Sequence, residues 1–264
     1  MAAEHTVDRA RPPARDLAMA VVDDPLSTEA PRVTHTLGVI ASATVAGLIS
    51  GLIAGGLGSR LAMRILSLTS PDAQGAITEA GEVVGEITLD GTLFLLALGG
   101  LLGIGGGLAY VAFRRWLPSR GTGLVFGLVA LAVSGRLLVD PDNIDFAILD
   151  PASLGIAMFA ALPILFGLIV VPLQARLEPF FTKPRSRVAT TLVLTVGLLP
   201  LAIGGPVAVA LAVLLAAGFL LARSSTLRDL WASTTVDIYG RALLGAAGVF
   251  GLGFFAWGAL EILV

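Results

Sequence analysis

The residues with most chemical potential in this chain are three arginines and a set of carboxylates. Arg60 and Arg64 stand four apart in Ser59-Arg-Leu-Ala-Met-Arg64, so on a helix they project from one face. Arg136 stands three residues from the end of a later apolar stretch, within snorkelling reach of the headgroups. Acids are concentrated in two segments: Glu79, Glu82 and Glu86, flanked by Asp72 and Asp90, and the run Asp140-Pro-Asp-Asn-Ile-Asp145, followed by Asp150. Two readings of the arginines follow. They snorkel to lipid phosphates or pair with nearby carboxylates and fix the loops. Alternatively they form an anion site, because a planar guanidinium fork suits phosphate and carboxylate alike. On the second reading Glu79, Glu82, Glu86, Asp140 and Asp142 are the potential partners, and Glu79, Glu82 or Asp140 the potential general bases of a lipid-modifying enzyme.

Other chemistries are excluded by residue type. The chain has no cysteine, so disulfides, thiolate metal sites and cysteine nucleophiles are absent. Its two histidines, His5 and His35, precede the first apolar segment, and its one lysine, Lys183, lies in a predicted loop. Histidine-ligated haem, two-histidine zinc sites and a buried Schiff base are therefore not expected within the apolar segments. The Asp140–Asp145 run fails the EF-hand pattern, since Ile144 occupies a ligand position and no glycine follows. Asp140 before Pro141 is expected to end one helix, and Asp150 or Ser153 to start the next. The run Gly103-Ile-Gly-Gly-Gly107 lacks the lysine and spacing of a phosphate loop. No cofactor, metal or nucleic-acid partner is expected.

The elements that must position these groups are membrane helices. Apolar residues form 56% of the 264-residue chain and charged residues 14%, with a mean hydropathy of +0.90. Soluble domains carry about 25% charged residues. The expected fold is an all-α, polytopic transmembrane bundle of about seven spans. Segments 36–58, 91–113, 121–139, 152–173 and 242–263 approach the ~20 apolar residues that cross a bilayer. Stretch 188–222 is broken at Gly204-Gly205-Pro206 and reads as two short spans, 188–204 and 206–222, or as a re-entrant hairpin. Residues 1–35, rich in charge and proline, read as a disordered cytoplasmic tail preceding a transmembrane domain over 36–264. Segment 223–241 reads as an interfacial amphipathic helix or a plain connection.

Loop charge sets the expected orientation. Arg114, Arg115 and Arg120, then Arg176, Lys183, Arg185 and Arg187, then Arg223, Arg228 and Arg241 alternate along the chain with the acidic loops. The positive-inside rule places the basic loops and the N-terminus in the cytoplasm of a bacterial cell, the C-terminus outside, and the arginine cluster on the outer face of the inner membrane. Glycines at four-residue spacing, Gly47, Gly51 and Gly55 on the first span and Gly99, Gly103 and Gly107 on the second, permit close helix approach in lipid. Gly245, Gly248 and Gly251 suggest that the last span joins them. Loop 70–90, with glycines between Ile77–Thr78 and Val83–Val84, is expected to form a small hairpin or a lid. Pro163 and Pro200 are expected to kink their helices. Without recognisable catalytic machinery, the expected function is that of a permease-like protein or an accessory subunit binding lipid or another membrane protein. The partners expected are the bilayer itself, with an anionic lipid headgroup or a second membrane protein; the alternative is the outer-face lipid-modifying enzyme.

Overall fold

A computed structural model describes residues 25–79, 81, 83–183 and 224–264, with isolated positions between 190 and 220, and its side chains from Thr34. The described chain is helical, apart from turns and one isolated β-bridge. Helix α1 (Pro25–Gly51) runs through a π-helical stretch, Leu52–Leu57, into α2 (Gly58–Thr69). Then follow α3 (Leu89–Phe113), α4 (Thr122–Leu138), the single turn α5 (Asp145–Ile148), α6 (Ala152–Phe181), α7 (Ser225–Trp231) and α8 (Thr234–Leu263).

Four helical segments are long and apolar enough to cross a membrane: Thr34–Thr69, Leu89–Phe113, Ala152–Phe181 and Thr234–Leu263. Helix α4, the expected third span, has 17 residues, about 25 Å at 1.5 Å per residue. The described residues thus hold four helices long and apolar enough to span and one shorter apolar helix, where seven spans are expected of the whole chain. Segments 188–204 and 206–222, with Pro200, lie outside the described residues apart from isolated positions, as do residues 1–24. Within the described residues the first helix extends back to Pro25, ahead of the expected boundary at Thr36.

Apolar side chains on the outside, including Val133 at 76% and Phe250 at 78% exposure, would be untenable in water as one continuous surface and are what lipid tails solvate. Inside, the small residues work as anticipated for the first two spans. A Cβ placed on Gly47 would fall on the Gly103 carbonyl, one on Gly51 on Gly99, and one on Gly107 on the Ala43 carbonyl. The α1 and α3 backbones therefore touch, antiparallel. Buried hydroxyls on the first rod satisfy themselves one turn back: Ser42 Oγ donates to Val39 O at 2.8 Å, Thr44 to Ile40 O at 2.9 Å and Ser50 to Ala46 O at 2.7 Å. Without a water partner this is the least costly way to bury them.

A second glycine seam joins α4 to α6, where Gly127 meets Ile164 and Gly167 meets Gly123 and Gly127. The last span behaves differently from expectation. Gly245 and Gly248 face no neighbour within 4 Å among the described residues, and Gly251 packs on Ala132 of α4. Helix α8 therefore docks on α4 rather than on α1 and α3. Pro163 is buried within α6.

The ends of the bundle sort by charge. At one end, Gly38 abuts the Phe181 and Thr182 backbone, and Arg114 and Arg115 of the α3–α4 connection pair with Glu178 and Asp237. At the other end, loops 70–88 and 139–151 are bonded to each other: Ser70 Oγ donates to Asp150 O at 2.8 Å and accepts from Asp150 N at 2.7 Å. Helix α6 ends, and α8 begins, at the same basic end.

Candidate anion-binding cleft

Arg60, Met63, Arg64 and Ser67 follow one face of α2 at helical spacing. What turns that face is the π-helical stretch before it, since each wide turn rotates everything that follows. The Ser59 hydroxyl bridges the disturbed carbonyls, donating to Gly56 O at 3.0 Å and lying against Gly55 O. The rod Thr34–Thr69 has 36 residues and spans about 54 Å, well beyond the ~30 Å of hydrocarbon, so its two ends cannot both be buried in lipid.

Loop 70–88 folds back over this face as the anticipated hairpin. Ile77 bridges Val83, Gly75 N donates to Val84 O at 3.2 Å, and Val84 N to Ala76 O at 2.9 Å. The reversals sit at Gly75, Gly81 and Gly85, whose φ values of 82°, 78° and 94° lie in the left-handed region that side-chain-bearing residues avoid. Gln74 Nε2 fastens the loop to α2 by donating to Ser67 O at 2.6 Å.

Loop 139–151 closes the third side. Asp140 accepts from Asp142 N at 3.2 Å, Asn143 Oδ1 accepts from Asp145 N at 2.7 Å, and Asp145 Oδ1 accepts from Glu79 N at 2.9 Å. Helix α6 has no side-chain cap: Pro151 occupies the N-cap position. Asp150 stands one residue before that position, with its backbone N–H and C=O bonded to the Ser70 hydroxyl.

These three elements enclose a cleft lined by Arg60, Arg64, Glu86 and Asp145 over a mostly apolar floor that includes Met63 and Phe159. Its water-accessible volume is about 80 Å³, enough for a small polar headgroup rather than a folded partner. The Nε and Nη2 atoms of Arg60 are buried and have no hydrogen-bond partner among the described residues. Arg64 is exposed, and neither arginine has a carboxylate within salt-bridge distance among the described residues. A buried guanidinium atom without a partner carries a desolvation cost, which an entering anion would offset.

Arg136 does not join them. It pairs with Asp140 at 2.8 Å, lies 3.4 Å from Val139 O and stacks 5.6 Å over the Phe254 ring, tying α4 to α8. The Asp142 backbone N–H, and after it the Arg136 guanidinium, hold the Asp140 carboxyl below the usual carboxylate range. Of the other expected partners, Glu86 lines the cleft, whereas the exposed Glu79 and Asp142 side chains do not. Glu82 lies outside the described residues. The three-arginine cluster expected from sequence is thus two arginines that line the cleft and one that holds a structural partner.

Comparison with protein-family models, curated proteins and solved structures finds no match for this chain. The side chains alone carry its functional reading.

The polar residues that sequence reasoning missed lie at the basic end. Gln174, 1% exposed, donates to Ser42 Oγ at 2.9 Å and to Glu178 Oε2 at 3.3 Å, and Glu178 is gripped by both terminal nitrogens of Arg114. Nearby, Arg115 bonds Asp237 and the Trp231 carbonyl and lies over the Trp116 and Trp231 rings. Segment 223–241 is consequently not one continuous amphipathic helix. It breaks between α7 and α8, where Ser233 accepts from Val236 N at 3.3 Å as the α8 cap.

Proposed function

We propose that this chain is a multi-pass protein of the bacterial inner membrane that acts without covalent chemistry, as a permease-like protein or an accessory subunit. It binds a phosphate- or carboxylate-bearing ligand through Arg60 and Arg64 at the outer face. The observation that carries this reading is the pair of buried, unpartnered Arg60 nitrogens beside Arg64 in a cleft. The orientation rests on Arg114, Arg115, Arg120 and Lys183 collecting at the opposite end, as cytoplasmic loops do. In that orientation the N-terminus is cytoplasmic and the C-terminus outside.

Purified protein titrated with inorganic phosphate and with phosphatidylglycerol tests the reading. Each charge-assisted hydrogen bond contributes about 1.5–3 kcal/mol, so Arg60→Gln is expected to weaken binding roughly 10- to 100-fold. Arg136→Gln, altering a structural pair outside the cleft, is expected to leave affinity unchanged. Equal affinities for wild type and Arg60→Gln would remove the anion site.

A further inference from the structure

The cleft is not simply basic. Arg60 and Arg64 share it with Glu86 and Asp145, two positive charges with two negative ones, yet no cross pair forms within salt-bridge distance. Separate elements hold them apart. The arginines stand on α2, Glu86 on the exit of the hairpin, and Asp145 at the start of α5, where Glu79 N fixes one of its oxygens. An inorganic anion entering here would satisfy the arginines and meet two carboxylates of its own sign. A ligand carrying both an anion and an ammonium would satisfy all four.

The rest of the lining is mostly apolar, with Met63, Ile87, Leu149 and Phe159 beside the hydroxyl-bearing Ser67 and Thr78. Ile87 is 69% exposed, and Leu61 and Leu89, next in sequence to Arg60 and Thr88, are 61% and 74% exposed. The apolar lining thus reaches the molecular surface at Ile87. A small water-soluble zwitterion has no use for it, whereas the glycerol and acyl portions of a lipid do.

Resting on the anion-site reading above, we infer that the occupant is a zwitterionic phospholipid bearing a primary ammonium, of the ethanolamine class. Its phosphodiester is held by Arg60 and Arg64, its ammonium by Glu86 and Asp145, and it enters sideways from the outer leaflet. Three N–H donors suit the two carboxylates, which a trimethylated choline cannot match by hydrogen bonding.

The test uses full-length protein exchanged into nanodiscs containing equal parts of dioleoyl phosphatidylethanolamine, phosphatidylcholine and phosphatidylglycerol, followed by extraction and quantification of lipid retained by the protein. Wild type is expected to retain the ethanolamine lipid about five-fold over each of the others, the scale of one or two partly exposed ion pairs. The double variant Glu86→Gln, Asp145→Asn should lose that preference and gain phosphatidylglycerol, since removing the carboxylates leaves a net positive cleft. The amide oxygen that Asp145→Asn introduces can still accept from Glu79 N, so the loop keeps its bond, and a monodisperse elution profile reports that the variant is folded. Arg60→Gln should reduce retention of the phosphate lipids altogether. Enrichment of phosphatidylglycerol by wild type, unchanged in the double variant, would overturn the zwitterion inference and leave the anion site standing. Retention identical in wild type and Arg60→Gln would overturn both. Displacement of the lipid by free phosphoethanolamine at equal concentration would show headgroup recognition alone and overturn lateral lipid entry.

Discussion

Gly103→Leu is expected to prevent α1 and α3 from seating against each other, with a loss of about 3 kcal/mol or more of stability. Overpacking a well-fitted site costs about 1–3 kcal/mol when flexible side chains can move aside. Here nothing flexible is available. A Cβ on Gly103 would meet the Gly47 carbonyl and stand 2.7 Å from Gly51 Cα, so relief requires moving one backbone away from the other. Separation would also open the neighbouring contacts at Gly99 and Gly107, because all lie on the same seam. Gly248→Leu is the matched control, since a Cβ there has nothing within 4 Å among the described residues. Unfolding in mixed micelles of increasing dodecyl sulfate content should show an early transition for Gly103→Leu and a near-native one for Gly248→Leu. Coincident transitions would mean that the α1–α3 glycine contact does not hold the bundle.

The second large effect is expected at the opposite polar network. Glu178→Ala removes the acceptor shared by Arg114 and Gln174, leaving a guanidinium and a fully buried amide without it. Breaking a fully buried ion pair by removing one partner costs about 3–5 kcal/mol. The Arg114 and Glu178 side chains are 38% and 23% exposed, so solvent screening reduces this to about 2 kcal/mol. Gln174→Leu should cost less than Glu178→Ala. It discards an amide whose Oε1 is already buried without a partner, while the Ser42 hydroxyl keeps its bond to Val39 O and Arg114 keeps Glu178. Denaturation of the two variants in the same micelles gives the order. Gln174→Leu proving the more damaging would show that the amide, not the ion pair, joins α1 to α6.

These two sites also show where the amino-acid order was informative. The four-residue spacing of Gly47, Gly51 and Gly55 and of Gly99, Gly103 and Gly107 specifies smooth faces, and two smooth faces on neighbouring antiparallel helices find each other. The three-residue spacing of Gly245, Gly248 and Gly251 on the last span specifies only a capacity to pack. Which neighbour uses it depends on tertiary arrangement, and Gly251 alone meets α4. Helix α6 runs past Leu173 because the Gln174 amide nitrogen and the Glu178 carboxylate find Ser42 and Arg114, residues distant in sequence. A fall in hydropathy marks where the chain becomes polar, and says nothing of partners that keep it helical. The Arg60–Arg64 face was legible from spacing, and the turn at Gly75, Gly81 and Gly85 from residue type. The Arg136–Asp140 pair was also within reach, being four residues apart in sequence across the end of α4. Phe159 and Asp145 could not be assigned to the cleft beforehand, since Phe159 reaches it only through the packing of α6 on α2 and Asp145 only through the docking of loop 139–151 on loop 70–88.

The central claim is that this bundle crosses a membrane with the Arg60–Arg64 cleft outside and the Arg114–Arg115 end in the cytoplasm. Because the chain has no cysteine, single cysteines can be read without background. Ala147, beside the cleft, and Ser119, in the α3–α4 connection, are both exposed. With a membrane-impermeant maleimide on intact cells, Ala147→Cys should label at once and Ser119→Cys only after permeabilisation. Labelling of Ser119→Cys in intact cells, with Ala147→Cys protected, would contradict the account and put the cleft in the cytoplasm.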